Sequence, residues 1–196
     1  MRVKKPLLLL DRDGTLITEQ DYLKDPKKVK FLPGAIAGLK QLSQAGFPLV
    51  IITNQSGVGR GLMTEQDVRR VHSRFQAILK KHDVQLDGIY WCPHHPSQGC
   101  ACRKPKLKLV RRAARDLKRS WRNSLSVGDK WIDVELGQRT GGQGILVLTG
   151  YGRKTLKQKS HRAPIHMARD FKTAARWIIA ADQKESQPWI KKFRKA

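Results

Sequence analysis

Residues 7–15 read Leu-Leu-Leu-Leu-Asp-Arg-Asp-Gly-Thr, and this stretch decides the fold. Four consecutive leucines are too few for a membrane span, which needs about 20 apolar residues. They do not alternate with polar residues as a strand with one wet face would. Continuous apolarity of this length fits a parallel strand covered on both sides. The run stops on a charged pair, Asp11 and Asp13, two positions apart. In a chain still extended there, both carboxylates project to the same side, and Gly14 permits a sharp turn behind them.

Similar runs recur at Leu49–Thr53, Ile89–Trp91, Leu125–Val127 and Ile145–Leu148. Helical periodicity lies between them. Ile36, Leu39 and Leu42 form one stripe, bracketed by Pro33 and Gly46. Thr64 is an N-cap, with Asp67 three residues on, ahead of Val68, Val71, Phe75, Ile78 and Leu79. Leu107, Val110, Ala114 and Leu117 make a third stripe, and Phe171, Ala174, Ala175 and Ile178 a later one. Strands alternating with helices predict an α/β protein: an open parallel sheet with helices on both faces, Rossmann-like. Residues 1–181 are read as a single domain and residues 182–196 as a basic tail. No insertion between the motifs is long enough for a large cap domain.

In such sheets ligands bind outside the carboxyl ends of the strands. The first strand ends at Asp11, the second at Thr53-Asn54 and the fourth at Gly128-Asp129, so three separate segments deliver oxygen ligands to one place. Carboxylates gathered this way repel one another unless a hard cation neutralises them, and Mg²⁺ suits oxygen ligands and phosphate together. One aspartate can then attack phosphorus while the other protonates the leaving oxygen.

The 196 residues carry 40 Lys+Arg against 16 Asp+Glu, a net charge of +24, with 39% apolar residues. That apolar share fills a core and excludes a disordered chain. The charge favours anionic partners. From Arg103 to Arg122 there are ten Lys or Arg and one acid, Asp116, a run that suits non-specific nucleic-acid binding or a solvated helix face. No signal segment or membrane span is read, so the protein is expected in the cytoplasm and as a monomer.

All three cysteines fall in Cys92-Pro-His94-His-Pro-Ser-Gln-Gly-Cys100-Ala-Cys102. The pairs Cys92/His94 and Cys100/Cys102 are each spaced i, i+2, and Pro93 and Pro96 favour extension. Two such pairs facing each other make a closed Cys₃His site for a structural Zn²⁺. His95 is the alternative ligand, its side chain expected to point away. Arg103 and Lys104 follow directly, so a zinc-stapled loop would hold two cations in place, with Arg103 suited to a sugar hydroxyl or a second phosphate. Gly57, Gly59 and Gly61, with no Walker Lys-Ser/Thr behind them, are read as letting their loop approach the substrate closely.

Taken in order, Asp-Arg-Asp-Gly-Thr after a strand, Thr53 ending a strand, Lys104, and Gly128-Asp129-Lys130-x-x-Asp133 resemble the four motifs of haloacid-dehalogenase-like phosphatases. The resemblance implies Asp11 as nucleophile forming an aspartyl-phosphate, Asp13 as general acid/base, and Thr53 and Lys104 holding the phosphoryl group. It implies Mg²⁺ held by Asp11, Asp129 and the Asp13 carbonyl. Cys-Pro-His…Cys-x-Cys-Arg-Lys-Pro narrows the likeness to the heptose bisphosphate and histidinol-phosphate phosphatases. Thr53–Gly61, Asp87–His95 and Val127–Lys130 are closer to the former. Lys106-Leu107-Lys108-Leu109 after Pro105 looks more like the latter. Substrate contacts implied by position are Arg12, Glu19, Gln20, Asp21, Tyr22, Asn54, Gln55, Ser56, Arg103 and Lys130. The expected substrate is a small phosphorylated sugar, the 7-phosphate of a heptose 1,7-bisphosphate used in lipopolysaccharide-core or nucleotide-activated heptose synthesis. A nucleic-acid 3′-phosphatase is a remoter alternative.

Overall fold

A computed structural model describes residues 5–158 and 163–183. Among these residues six strands form one parallel sheet: β1 (Leu8–Leu10), β2 (Leu49–Asn54), β3 (Gly88–Cys92), β4 (Leu125–Gly128), β5 (Gln143–Val147) and β6 (His166–Ala168), ordered β3-β2-β1-β4-β5-β6. The helices are α1 (Ala35–Gln44), α2 (Glu65–Lys80), α3 (Lys108–Asp116), α4 (Trp131–Arg139), α5 (Gly152–Leu156) and α6 (Phe171–Gln183).

Alternation along β1 assigns the two faces. Leu8 and Leu10 pack with Leu39 and Leu42 of α1, Val71 and Phe75 of α2, and Phe171 and Ile178 of α6. Leu7 and Leu9 pack on the other side with Leu109, Val110 and Ala113 of α3 and Leu136 of α4. Leu7, Leu8, Leu9 and Leu10 are each at most 1% exposed, and full burial of such a side chain contributes roughly 1.5–3 kcal/mol. Both faces are covered, which is why the strands read as unbroken apolar runs.

The predicted α/β architecture is therefore present, with helices on both faces. The Thr64 cap is present as a reciprocal pair: the Asp67 N–H donates to Thr64 Oγ1, and the Thr64 N–H donates to Asp67 Oδ2. Two helices and a strand go beyond the sequence reading. α4 buries Asp133 and Gly137 beside Val134 and Leu136, a mixed face without a clean stripe. α5 is a single short turn. β6 is a three-residue edge strand whose Met167 is half exposed. α6 runs to Gln183, two residues into the stretch read as tail. The rest of that stretch, 184–196, lies outside the described residues. No helix among those described is long and apolar enough to cross a membrane.

Chain order reverses at β1, whose neighbours β2 and β4 lead to opposite halves of the sheet. The crevice at such a switch point is where ligands bind in this architecture.

Candidate active site

A cleft of about 310 Å³ opens there. Its lining includes Asp11, Arg12, Asp13, Glu19, Gln20, Asp21, Tyr22, Thr53, Asn54, Gln55, Ser56, Arg103, Lys104 and Lys130. The structure thus brings together every residue that the sequence assigned to catalysis or substrate contact.

At its floor, one buried ammonium bridges two carboxylates. Lys104 Nζ donates to Asp11 Oδ1 and to Asp133 Oδ1, each at 2.6 Å. Lys104 is 4% exposed. Burial alone would lower its pKa, but the two aspartates raise it, so it stays charged. Asp133 also accepts the Lys130 N–H at the start of α4, at 3.2 Å.

Asp11, Asp129 and Asp133 place carboxylate oxygens within 4.8 Å of one another. Burial pushes Asp11 up to about 6, with Lys104 opposing and Asp133 reinforcing the rise. Burial and the Asp11 charge push Asp129 up to about 8. The Asp129 Oδ2 accepts the Tyr151 N–H at 2.7 Å, whereas its Oδ1 is buried with no partner. An orphaned carboxylate oxygen facing two other acids is an environment that a divalent cation satisfies, so the residues present fit Mg²⁺. Gly14 and Gly150 make room for this carboxylate. Both have positive φ, and a Cβ on either would fall 2.2–2.3 Å from Asp129 Oδ2.

The Asp13 carboxylate stands apart from that trio. It accepts from Arg12 Nε and Nη2 at 3.0–3.2 Å and from Gln55 Nε2 at 2.9 Å. Burial disfavours its charge, yet the Arg12 guanidinium and the Gln55 amide hold its carboxyl below the usual range. Only its backbone is left for an ion beside Asp11. Arg12 lines the cleft but is 1% exposed: its Nε and Nη2 hold Asp13, while its Nη1 is buried without a partner. Lys130 pairs with Glu19 at 3.1 Å and lies over the Tyr151 ring at 4.6 Å. Tyr151 lines the cleft as well and was missed by sequence reading, where only Thr149-Gly150-Tyr151-Gly152 behind a strand hinted at a functional loop.

The second metal candidate is the cysteine loop. Cys92, Cys100 and Cys102 are free thiols. Their sulfurs lie 3.2–3.5 Å apart, and His94 Nδ1 is 3.1 Å from Cys102 and 3.6 Å from Cys92. Zinc–sulfur bonds of ~2.3 Å imply tetrahedral edges of roughly 3.7 Å, so this donor set fits Zn²⁺ closely. Burial pushes the Cys92 thiol up to about 12, and bound zinc takes the place of that proton. His95 faces away, bonding Ser97 Oγ at 2.6 Å.

This loop also clamps the neighbouring strand end. Asn54 Oδ1 accepts the Lys104 N–H at 2.9 Å, the Gln55 N–H donates to Cys92 O at 2.8 Å, and the Gly59 N–H donates to Pro93 O at 2.8 Å. A Cβ on Gly59 would strike the His95 nitrogen at 2.2 Å. Gly59 therefore packs on the cysteine loop rather than in the cleft, whereas Gly57 lines the cleft, close against Met63 and Tyr22.

The acid cluster has a measurable signature. Asp11 and Asp129 titrate at about 6 and about 8 in the fold against roughly 3.9 in an unfolded chain. The folded state then binds more protons between these values, so stability falls as pH rises through 6 and 8. In magnesium-free buffer with zinc retained, the melting temperature is expected to drop by several degrees from pH 5 to pH 8. Added Mg²⁺ is expected to raise it more at pH 8 than at pH 5, because ion and protons compete. A melting temperature that climbs over this range without Mg²⁺ contradicts the cluster's electrostatics.

Comparison with known proteins agrees with this geometry. A HAD-hydrolase-like family model matches residues 101–174. The D-glycero-beta-D-manno-heptose-1,7-bisphosphate 7-phosphatase of Pseudomonas putida is 36% identical over 153 residues, covering 78% of this chain and 87% of that protein. The Escherichia coli enzyme of the same name is 37% identical, covering 74% and 80%. The crystal structure of D,D-heptose 1,7-bisphosphate phosphatase from B. bronchiseptica, complexed with magnesium and phosphate, superposes with a TM-score of 0.83 at 33% identity, covering 90% of this chain and 99% of that one. With its carboxylate cluster at the sheet's switch point and its Cys₃His loop, this chain belongs to the haloacid-dehalogenase-like phosphatases, in the family of the heptose-1,7-bisphosphate 7-phosphatases.

Proposed function

We propose that this protein is a magnesium-dependent phosphomonoesterase that removes the 7-phosphate of D-glycero-β-D-manno-heptose 1,7-bisphosphate through an aspartyl-phosphate. The observation that carries the reading is the pairing of two unlike aspartates in one cleft: Asp11 bound to Lys104 beside the Asp129–Asp133 acids, and Asp13 held by Arg12 and Gln55.

Asp11 offers its free oxygen to phosphorus while Lys104 fixes the other at 2.6 Å, so the nucleophile arrives oriented. Mg²⁺ held by Asp11, Asp129 and the Asp13 carbonyl would neutralise phosphoryl charge, which is most of what phosphoryl transfer asks of a protein. Thr53 and Lys104 contribute a hydroxyl and an ammonium to the equatorial oxygens. Asp13 titrates low in the ligand-free fold because Arg12 and Gln55 stabilise its charge. A dianionic phosphate beside it pushes that carboxyl upward, toward the protonated form that hands a proton to the leaving 7-oxygen. Asp13, then ionised, draws a proton from the water that opens the aspartyl-phosphate, and Asp11 is regenerated. Glu19, Lys130 and Arg103 face the remainder of the sugar, with the two cations suited to its second phosphate. The product heptose 1-phosphate feeds lipopolysaccharide-core or nucleotide-activated heptose synthesis, and the reaction belongs in the cytoplasm with its phosphosugar substrate.

The test is a comparison of kcat/KM for the β and α anomers of heptose 1,7-bisphosphate, histidinol phosphate and a 3′-phosphorylated oligonucleotide. The β-bisphosphate is expected to lead by at least tenfold. A lead for histidinol phosphate reassigns the substrate, and turnover without any divalent ion removes the mechanism.

A further inference from the structure

The face of α3 that turns away from the sheet carries more than charge. The helix buries Leu109, Val110, Ala113 and Ala114, leaving Arg111, Arg112 and Arg115 exposed, with Lys118, Arg119 and Arg122 exposed beyond its end. Within the helix Arg111, Arg112 and Arg115 are neighbours at spacings of three and four residues, and the other three follow in the turn that leaves it, where Lys118 has a positive φ. Asp116 engages Arg115 at 3.3 Å and Arg112 at 3.7 Å. Among the described residues no ion pair occupies Arg111, Lys118, Arg119 or Arg122.

Aromatic rings are interleaved with these cations. Arg111 and Arg122 lie 5.2 and 5.1 Å from the Trp121 ring centroid, and Arg112 lies 5.9 Å from that of Tyr90 on the edge strand β3. A helix face that only needs solvation has no use for such layers. Guanidinium groups held within 6 Å of indole and phenol rings make a polarisable, positively charged surface of planar groups, onto which nucleobases stack while free cations take the phosphates. Among the described residues the large apolar side chains that are exposed, Tyr22, Leu62, Tyr151, Leu156, Ile165 and Met167, all belong to segments other than α3 and its following turn. Among the described residues α3 and its turn thus offer no exposed apolar side chain to insert into a bilayer, and the chemistry favours a polyanion with planar rings over an anionic lipid surface.

We propose that the outer face of α3, with the turn through Arg122, is a binding surface for single-stranded nucleic acid, separate from the phosphatase cleft and without sequence preference. Nine helical residues span ~14 Å, room for about four phosphates with the turn included. Four contacts give a log–log salt slope of about −3, so doubling the salt weakens binding roughly sevenfold.

Fluorescence anisotropy of the full chain with labelled 20-nucleotide poly(dT), from 50 to 300 mM salt, tests this. Arg111→Glu/Lys118→Glu/Arg122→Glu is expected to weaken binding at least tenfold. Lys118→Glu/Arg119→Glu, confined to the turn, is expected to weaken it about threefold or more. Arg74→Glu/Lys80→Glu/Lys81→Glu on α2 and its C-cap, an equal change of charge, is expected to stay within threefold of the parent. Phosphatase turnover and melting temperature should be unchanged in all three. An abasic strand of equal charge should bind several-fold more weakly. Equal losses on α2 and α3, equal affinity for the abasic strand, preference for vesicles containing 30% phosphatidylglycerol, or no binding at 100 mM salt would each overturn the assignment.

Discussion

Asp11→Asn should abolish turnover, by at least about 10³-fold in kcat, while leaving a folded protein. An amide oxygen is a poor nucleophile toward phosphorus and a weaker partner for a hard cation, so both of the roles proposed for Asp11 are lost together. The fold has little reason to suffer. Asn retains an acceptor for Lys104 Nζ, which keeps its 2.6 Å bond to Asp133, and removing one charge from a crowded acid trio relieves repulsion. The expected signature is therefore inactivity with an unchanged or raised melting temperature in magnesium-free buffer. Near-normal turnover in Asp11→Asn refutes the nucleophile, whereas inactivity accompanied by unfolding points to a structural part for the residue instead.

Lys104→Met should cost both stability and activity. The lysine is the cation between two buried carboxylates, at 2.6 Å from each, and deleting it leaves those charges without compensation. Removing one partner of a buried ion pair costs roughly 3–5 kcal/mol, and here a single side chain serves two. Urea unfolding should show a loss of about 3 kcal/mol or more, partly recovered by Mg²⁺ or by lowering the pH so that Asp11, whose carboxyl is already pushed up by burial, takes up a proton. Asp133→Asn combined with Lys104→Met should lose less than the sum of the single changes, since one orphaned charge is then gone. A Lys104→Met variant as stable as the parent would show that the ammonium is not what holds the carboxylates together.

Much of this site was legible because its pieces are written locally. The unbroken leucines before Asp11 mark a strand buried on both faces, and a charge placed at its end can face only the crevice. The Cys₃His spacing is equally local, and Thr64 with Asp67 announces α2. What stayed hidden depends on contacts across the fold. Arg12 reads as a substrate contact because it sits between two functional aspartates, and only packing shows that it is buried and holding Asp13. The glycines at 14 and 150 look like ordinary turn residues until the backbone brings both against one carboxylate. α4 lacks a stripe because Asp133 turns inward to Lys104, so the residue that matters most for the site is the one that spoils its helical pattern. β6 escaped because a short, half-exposed edge strand carries almost no hydropathy signal.

The central position of β1 has a consequence for biosynthesis. The strand that leads into Asp11 precedes the other five described strands in synthesis, yet its two neighbours in the sheet begin at residues 49 and 125. Lys104 follows Asp11 by 93 residues, and Asp129 emerges later still. β1 must therefore wait in the nascent chain with one flank open until the segment around residue 125 has been translated. Asp11 can acquire its neutralising lysine only when the sheet closes around it.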